Sequence, residues 1–204
     1  MTPVHPQAVL FDMDGTILNP INDGLLEFKI RWGIPTDQLI IPNLPNLPEQ
    51  ASDEYNQLAE FEAVNSTLRN GVHELLESLK AAKIKTALVT NNSGASMKTV
   101  LTKHRVRFDL ELSRDDAAMK PAPDMLLLAL EKLQVLPSHA IMVGDTRPDL
   151  GAARNAGIAL CVLLAEPWNE LLEVDEPGFQ VVRVQGIAGV RERLERQRSL
   201  EVAV

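Results

Sequence analysis

Ala8-Val9-Leu10-Phe11-Asp12-Met13-Asp14-Gly15-Thr16 is the stretch on which the reading of this chain turns. A short, unbroken apolar run gives way at once to Asp12 and then Gly15, the pattern of a buried strand that ends in a turn. Where a chain leaves a strand, residues i and i+2 can point to the same side, so the carboxylates of Asp12 and Asp14 can face one crevice. One ionised carboxylate can attack phosphorus while a second, protonated one supplies the leaving oxygen's proton. Gly15 lets the backbone turn away sharply. Four fixed identities at this spacing arise by chance at about one in 10⁵ per start position. The competing reading is a plain turn, since Asp and Gly are common turn formers.

The same punctuation recurs downstream. Apolar runs lie at 84–89, 140–143 and 158–165, with weaker ones at 108–112 and 179–184. Their hydrophobicity is continuous rather than alternating, which predicts strands covered on both faces of a parallel sheet. Between them, Val72, Leu75, Leu76 and Leu79 follow helical spacing, as do Leu126, Leu127, Leu130 and Leu133 after Pro123. Residues 149–156 are Ala-rich and stop at Gly157, a helix C-cap signal. Strand and helix in regular alternation predict an α/β, doubly wound, Rossmann-like parallel sheet.

One interval breaks that rhythm. A crossover between parallel strands needs a dozen or so residues, yet far more separate the first strand from the second. The helix expected at 71–83 can serve as the crossover. Residues 19–70 are then surplus and predict a small inserted α-helical subdomain, while 1–18 and 71–204 form the α/β core. Within the insertion 24–32 and 49–68 read as helices, and Pro35, Pro42, Pro45 and Pro48 make the chain between them extended or turning. The end of the chain, 191–204, reads as a charged, helical, solvated face.

Three further clusters follow strands. Thr90-Asn91-Asn92-Ser93-Gly94 offers a hydroxyl and free backbone N–H groups at a helix start, a natural phosphate seat, although Ser and Asn also cap helices with no ligand present. Lys120, in Met119-Lys120-Pro121-Ala122-Pro123-Asp124, can neutralise a phosphoryl oxygen or keep Asp12 ionised. Gly144-Asp145-Thr146-Arg147-Pro148-Asp149 places two more carboxylates at a strand end, oxygen donors suited to a hard cation such as Mg²⁺; Asp149 also suits the first turn of a helix on its own account. All four clusters fall at the C-terminal ends of expected parallel strands, where open α/β sheets place ligands.

Taken in order, DMDGT, VTNNS, MKPAPD and GDTRPD resemble the four motifs of the haloacid dehalogenase-like hydrolase superfamily, and the likeness covers nearly the whole chain. The resemblance implies Asp12 as nucleophile and Mg²⁺ ligand, and Asp14 as general acid/base with its backbone carbonyl on the metal. It implies Thr90 and the Asn91 backbone as holders of the phosphoryl group, Lys120 as its counter-charge, and Asp145 as a metal ligand supported by Asp149. An acid at the position of Asp14 is the pattern of the phosphatases and mutases rather than of the dehalogenases. The insertion lies where one subfamily carries a helical cap, but it is shorter and richer in proline. Ile17-Leu18-Asn19-Pro20 departs from the Asp-Ser/Thr that typically follows this motif in phosphoglycolate phosphatases and sugar phosphomutases. The expectation is a Mg²⁺-dependent phosphatase of a small phosphorylated metabolite, with a sugar phosphomutase and an inactive phosphate-binding protein as the alternatives.

Composition sets the remaining bounds. The chain has 204 residues, 45% hydrophobic and 24% charged, with a formal charge of −8. An acidic surface argues against nucleic acid or anionic lipid as a partner, so a phosphate substrate needs local positive charge. The lone Cys161, inside an apolar run, reads as a core residue. No leader-like segment or long apolar run is evident, and a cytoplasmic enzyme is expected. The four histidines lack metal-ligand spacing, and Trp32, Trp168 and Arg147 read as packing or surface positions.

Overall fold

β1 (Ala8–Phe11) is buried along its whole length and sits in the middle of the molecule. In the computed structural model, which describes residues 6–20, 23–36, 38–169 and 178–199, it pairs in parallel with β2 (Lys85–Val89) on one side and β4 (Ala140–Gly144) on the other. With β3 (Leu110–Leu112), β5 (Leu160–Leu164) and β6 (Gln180–Val184) the sheet runs β3-β2-β1-β4-β5-β6, all parallel. This is the doubly wound α/β order that the alternating runs predict.

The side chains of β1 alternate between two cores. Val9 and Phe11 join Leu88, Ile141, Val143 and Val162 on one face, while Ala8 and Leu10 join Ala87, Met142 and Leu163 on the other. Both faces are apolar because both are covered. The first is roofed by α3 (Val72–Ala81), α4 (Gly94–His104) and α7 (Gly186–Ser199), and the second by α5 (Asp124–Leu133) and α6 (Arg147–Asn155). Cys161 is fully buried in the second layer, and burial pushes its thiol up well above the ordinary value.

β1 and β4 start with their apolar runs, whereas β2, β3, β5 and β6 start one or two residues later, for a local reason. Ile158 still donates its N–H to Ala153 O at the end of α6, and the Asp109 carboxylate is taken by Thr86 N and Oγ1 before β3 begins. Between β1 and β2 come α1 (Asp23–Trp32), a 3-10 turn (Ile41–Asn46) and α2 (Glu49–Asn65) ahead of α3. They gather a third small core of Phe28, Ile34, Ile40, Ala51 and Tyr55. The prolines act as expected: two sit in the 3-10 turn and Pro48 caps α2.

α2 is fastened to the main layer at its far end. Ala63 packs in the first core, Lys103 Nζ donates to Val64 O and Ser66 O, both at 2.6 Å, and Ser66 Oγ meets His104 Nε2 at 2.9 Å. No helix among the described residues is long and apolar enough to cross a membrane. The side chain of Trp168 and residues 200–204 of the expected terminal helix lie outside the described residues.

Candidate active site

β1 and β4 are neighbours, so the residues that follow them emerge side by side. Asp12 N donates to Val143 O at 2.9 Å, which sets the first residue after β1 against the end of β4 and brings Asp145 close. Carboxylate oxygens of Asp12, Asp145 and Asp149 all lie within 4.8 Å of one another, and all three residues are buried. This is an oxygen-only donor set of the kind that hard divalent cations take. The Asp14 carboxylate stands apart from that group and is exposed.

Gly15 makes this approach possible. Its φ is +73°, and a Cβ there would lie 2.3 Å from Asp145 Oδ2. The left-handed turn and the missing side chain are both needed, because the aspartate occupies the space that any other residue would fill. Thr16 Oγ1 then donates to Asp145 Oδ1 at 2.9 Å.

Lys120 reaches in from the loop after β3, with its side chain almost wholly buried. Nζ lies 2.5 Å from Asp12 Oδ1, 2.7 Å from Asp149 Oδ1 and 2.9 Å from Val89 O, so its three donors are matched by three acceptors. The Asn91 side chain holds the lysine backbone at both ends: Nδ2 donates to Lys120 O and Oδ1 accepts from Lys120 N, each at 2.9 Å. Asp149 also accepts from Thr146 N and Oγ1 through its other oxygen, closing a capping box at the start of α6. Helix cap and charge partner are therefore one residue, and the helix-start reading of Asp149 is fulfilled.

The electrostatics follow from burial. Desolvation pushes the Asp12 carboxyl up, the Lys120 ammonium draws it down, and Asp149 and Asp14 add repulsion, leaving it at about 7 against an ordinary 3.8. Burial works against the charge on Lys120, but Asp12 and Asp149 more than offset this and hold its pKa above the usual lysine value. Asp14 is also raised by its surroundings, to about 6, while Lys120 and the hydrogen bond from Asn92 pull the other way.

Several contacts gave no sign in the sequence, although Asn92 lies inside the second cluster. Asn92 Nδ2 donates to Asp14 Oδ2 at 2.5 Å, while Asn92 N donates to Thr90 Oγ1 at 3.1 Å. Asn169, fully buried, donates through Nδ2 to Asp145 O and Leu164 O, both at 2.7 Å. Arg69 pairs with Glu166 and donates to Gly15 O at 2.8 Å, bracing the turn after β1 from the far end of the β1–β2 connection. Of the expected residues, Asp12, Lys120, Asp145 and Asp149 share one centre. Asp14 and Thr90 border it, and Asn91 meets it through its side chain rather than only its backbone. Arg147, although inside the fourth motif, is exposed at the start of α6, as expected of a surface position.

Acids that follow the central strands β1 and β4 meet a lysine from the loop after the edge strand β3 at one end of a parallel α/β sheet, an arrangement found among hydrolases. A sequence model of the haloacid dehalogenase-like hydrolases matches residues 27–163, and the chain belongs to that family. The match begins beyond Asp12 and Asp14, so membership does not depend on them. An uncharacterized hydrolase of Saccharomyces cerevisiae is 29% identical, over 94% of this chain and 92% of the relative. A phosphoglycolate phosphatase of Vibrio parahaemolyticus is 30% identical over 78% of this chain and 84% of its own. Among solved structures, a hydrolase from Pseudomonas syringae superposes with a TM-score of 0.75 at 20% identity, covering 94% and 98% of the two chains, a likeness of fold.

Proposed function

We propose that the chain is a Mg²⁺-dependent phosphatase that hydrolyses a small phosphomonoester through an aspartyl-phosphate on Asp12. The observation that carries this reading is the pairing of a buried, lysine-bound Asp12 with Asp14, two residues on and open to the crevice. An oxygen of Asp12 attacks phosphorus in line. As the new P–O bond forms, the bond to the alcohol oxygen breaks, and that oxygen takes a proton from Asp14. A carboxyl raised to about 6 keeps more of its acid form near neutral pH than an ordinary aspartate does. Asp14, now a carboxylate, accepts a proton from water as the water attacks the phosphorus of the aspartyl-phosphate, releasing phosphate and restoring Asp12.

Lys120 Nζ neutralises a phosphoryl oxygen, and the Thr90 hydroxyl, whose oxygen already accepts from Asn92 N, has its proton free to donate to another. Asp12 and Asp145, with the Asp14 carbonyl and with Asp149 behind them, would hold Mg²⁺, which supplies further charge neutralisation between anionic nucleophile and anionic substrate. Residues 19–70 act as a small cap over the crevice, shaping the space for the alcohol portion. Relatives that are phosphatases support the choice of a phosphate ester.

Phosphate release from alkyl and aryl phosphates, measured with and without Mg²⁺, tests the reading. Asp12→Asn should lower turnover by about 10³-fold or more, as loss of a covalent nucleophile does, while the thermal transition stays cooperative. Full activity in that variant overturns the assignment of the nucleophile.

A further inference from the structure

A cavity of about 80 Å³ opens beside Asp14, between α2 and the start of α4. Met13, Asp14 and Asn92 form its floor, and Leu25, Tyr55 and Glu62 are among the residues of its α1 and α2 side. Tyr55 and Glu62 are seven residues apart on α2, two helical turns, and so share a face. If Asp14 protonates the leaving oxygen, this cavity, which Asp14 borders, is the adjoining space open to the carbon attached to that oxygen.

Its chemistry is unbalanced. Among the described residues that line it, the charged ones are both acids, Asp14 and Glu62. The carboxylate of Asp14 has a partner in Asn92. Glu62 Oε1 is buried with no hydrogen-bond partner and sits against the Gly24 backbone, where an added Cβ would lie 3.4 Å from it. Its carboxyl is correspondingly raised, to about 7, by desolvation first and by the charge of Asp14 second. Arg114 does not line the cavity; its guanidinium lies over the Tyr55 ring, 6.0 Å from the centroid, and its Nη1 is also buried without a hydrogen-bond partner. A buried acceptor left unpaired costs free energy; a turn of the Glu62 side chain into the cavity that it lines lets a bound donor remove that cost, whereas a second anion there adds to it.

We infer that Glu62 selects the substrate: the site takes alkyl phosphates bearing a hydrogen-bond donor, a hydroxyl or an ammonium, near the ester carbon, and rejects those bearing a carboxylate. This deepens the phosphatase reading and rests on it. It also separates this chain from the phosphoglycolate phosphatase among its relatives, whose substrate carries a carboxylate beside the ester carbon.

Three substrates of nearly equal size make the test: 2-hydroxyethyl phosphate, O-phosphoethanolamine and phosphoglycolate, with ethyl phosphate as the unsubstituted reference. The wild-type protein with Mg²⁺ should show kcat/KM at least ~10-fold higher for one or both donor-bearing substrates than for phosphoglycolate, a size of effect typical of one mispaired polar group in a binding site. The hydroxyl and ammonium arms tell which donor is preferred. Glu62→Gln should shrink the ratio by about tenfold, chiefly by raising kcat/KM for phosphoglycolate. A wild-type preference for phosphoglycolate, or a ratio that Glu62→Gln leaves unmoved, overturns the inference while the phosphatase reading stands. No turnover of any of the four, or of an aryl phosphate, removes the reading itself and the inference with it.

Discussion

Two regions on either side of Asp14 are built on opposite terms. In the centre between β1 and β4, polar atoms are closely matched: Lys120 has three acceptors, Asp149 serves both a lysine and a helix cap, and Asn169 holds the Asp145 carbonyl. In the cavity under α2, Glu62 Oε1 is buried and unmatched. On the proposed reading the first region deals with the phosphoryl group, which every substrate of such an enzyme shares, and it can be fully preorganised before substrate arrives. The second must meet the part that differs between substrates, so a group left waiting there is a recognition element rather than a packing defect. Preorganisation and incompleteness are each informative about what binds.

The contrast is broken most severely at Lys120. Replacing it with Met keeps much of the volume but leaves Asp12 and Asp149 buried without their cation. Removing one partner from a buried ion pair costs about 3–5 kcal/mol, and in a chain of this size each kcal/mol lowers Tm by roughly 2–4 °C. Lys120→Met should therefore melt about 10 °C lower and lose nearly all phosphate release, as read by calorimetry and by phosphate assay. A variant that melts with the wild type would mean that the two aspartates are not charged against this lysine.

How much of this was legible in the sequence follows the same division. Asp12, Lys120, Asp145 and Asp149 were readable because each follows an apolar strand run, and parallel strands deliver their C-terminal ends to one edge. The fold was readable for the same reason, since a strand buried on both faces, such as Ala8–Phe11, has no polar alternation. What supports those residues was not readable. Asn92 and Asp14 are 78 positions apart, and Arg69 and the Gly15 carbonyl 54; such partnerships exist only once the sheet has brought the segments together. The two-sided grip of Asn91 on the Lys120 backbone looks in sequence like an ordinary helix-start asparagine. Glu62 is one of many acids on a helix whose exposed face is also acidic, and only burial of its carboxylate distinguishes it.

A smaller change probes how tightly the first region is fitted. Gly15→Ala introduces one methyl group at a left-handed φ of +73° and within 2.3 Å of Asp145 Oδ2. The strained backbone costs about 1–3 kcal/mol. Displacing Asp145 should cost activity more than stability, about 10²-fold in kcat, the scale of a misplacement of about 1 Å in a positioned site. Gly33→Ala, also at positive φ but with nothing within 4 Å of the added methyl, carries similar backbone strain without the clash. Equal activity losses in the two variants would show that strain, and not the fit around Asp145, is what matters.

The smallest effect separates the two regions by their protons. Asp12 and Glu62 are each raised to about 7, chiefly by desolvation, and Asp14, which is more open to solvent, is raised less far, to about 6. Between the ordinary carboxylate range near 4 and pH 7 the folded chain therefore binds more protons than the unfolded chain, so stability falls as pH rises through that window. The raised pKa of Lys120 contributes stability that is fully present throughout this range, so it adds no slope. Metal-free protein, melted in chelator, should lose at least ~2 °C between pH 5 and pH 7.5, somewhat under the shift of about 1 kcal/mol for this size of chain. Glu62→Gln removes the titrating group in the cavity and leaves the β1–β4 centre as it was, so its melting temperature should fall less over the same interval. The difference between the two curves is the share that belongs to Glu62. Parallel curves would place the whole slope at Asp12 and Asp14, and Glu62 would then be as well solvated in the folded chain as in the unfolded one.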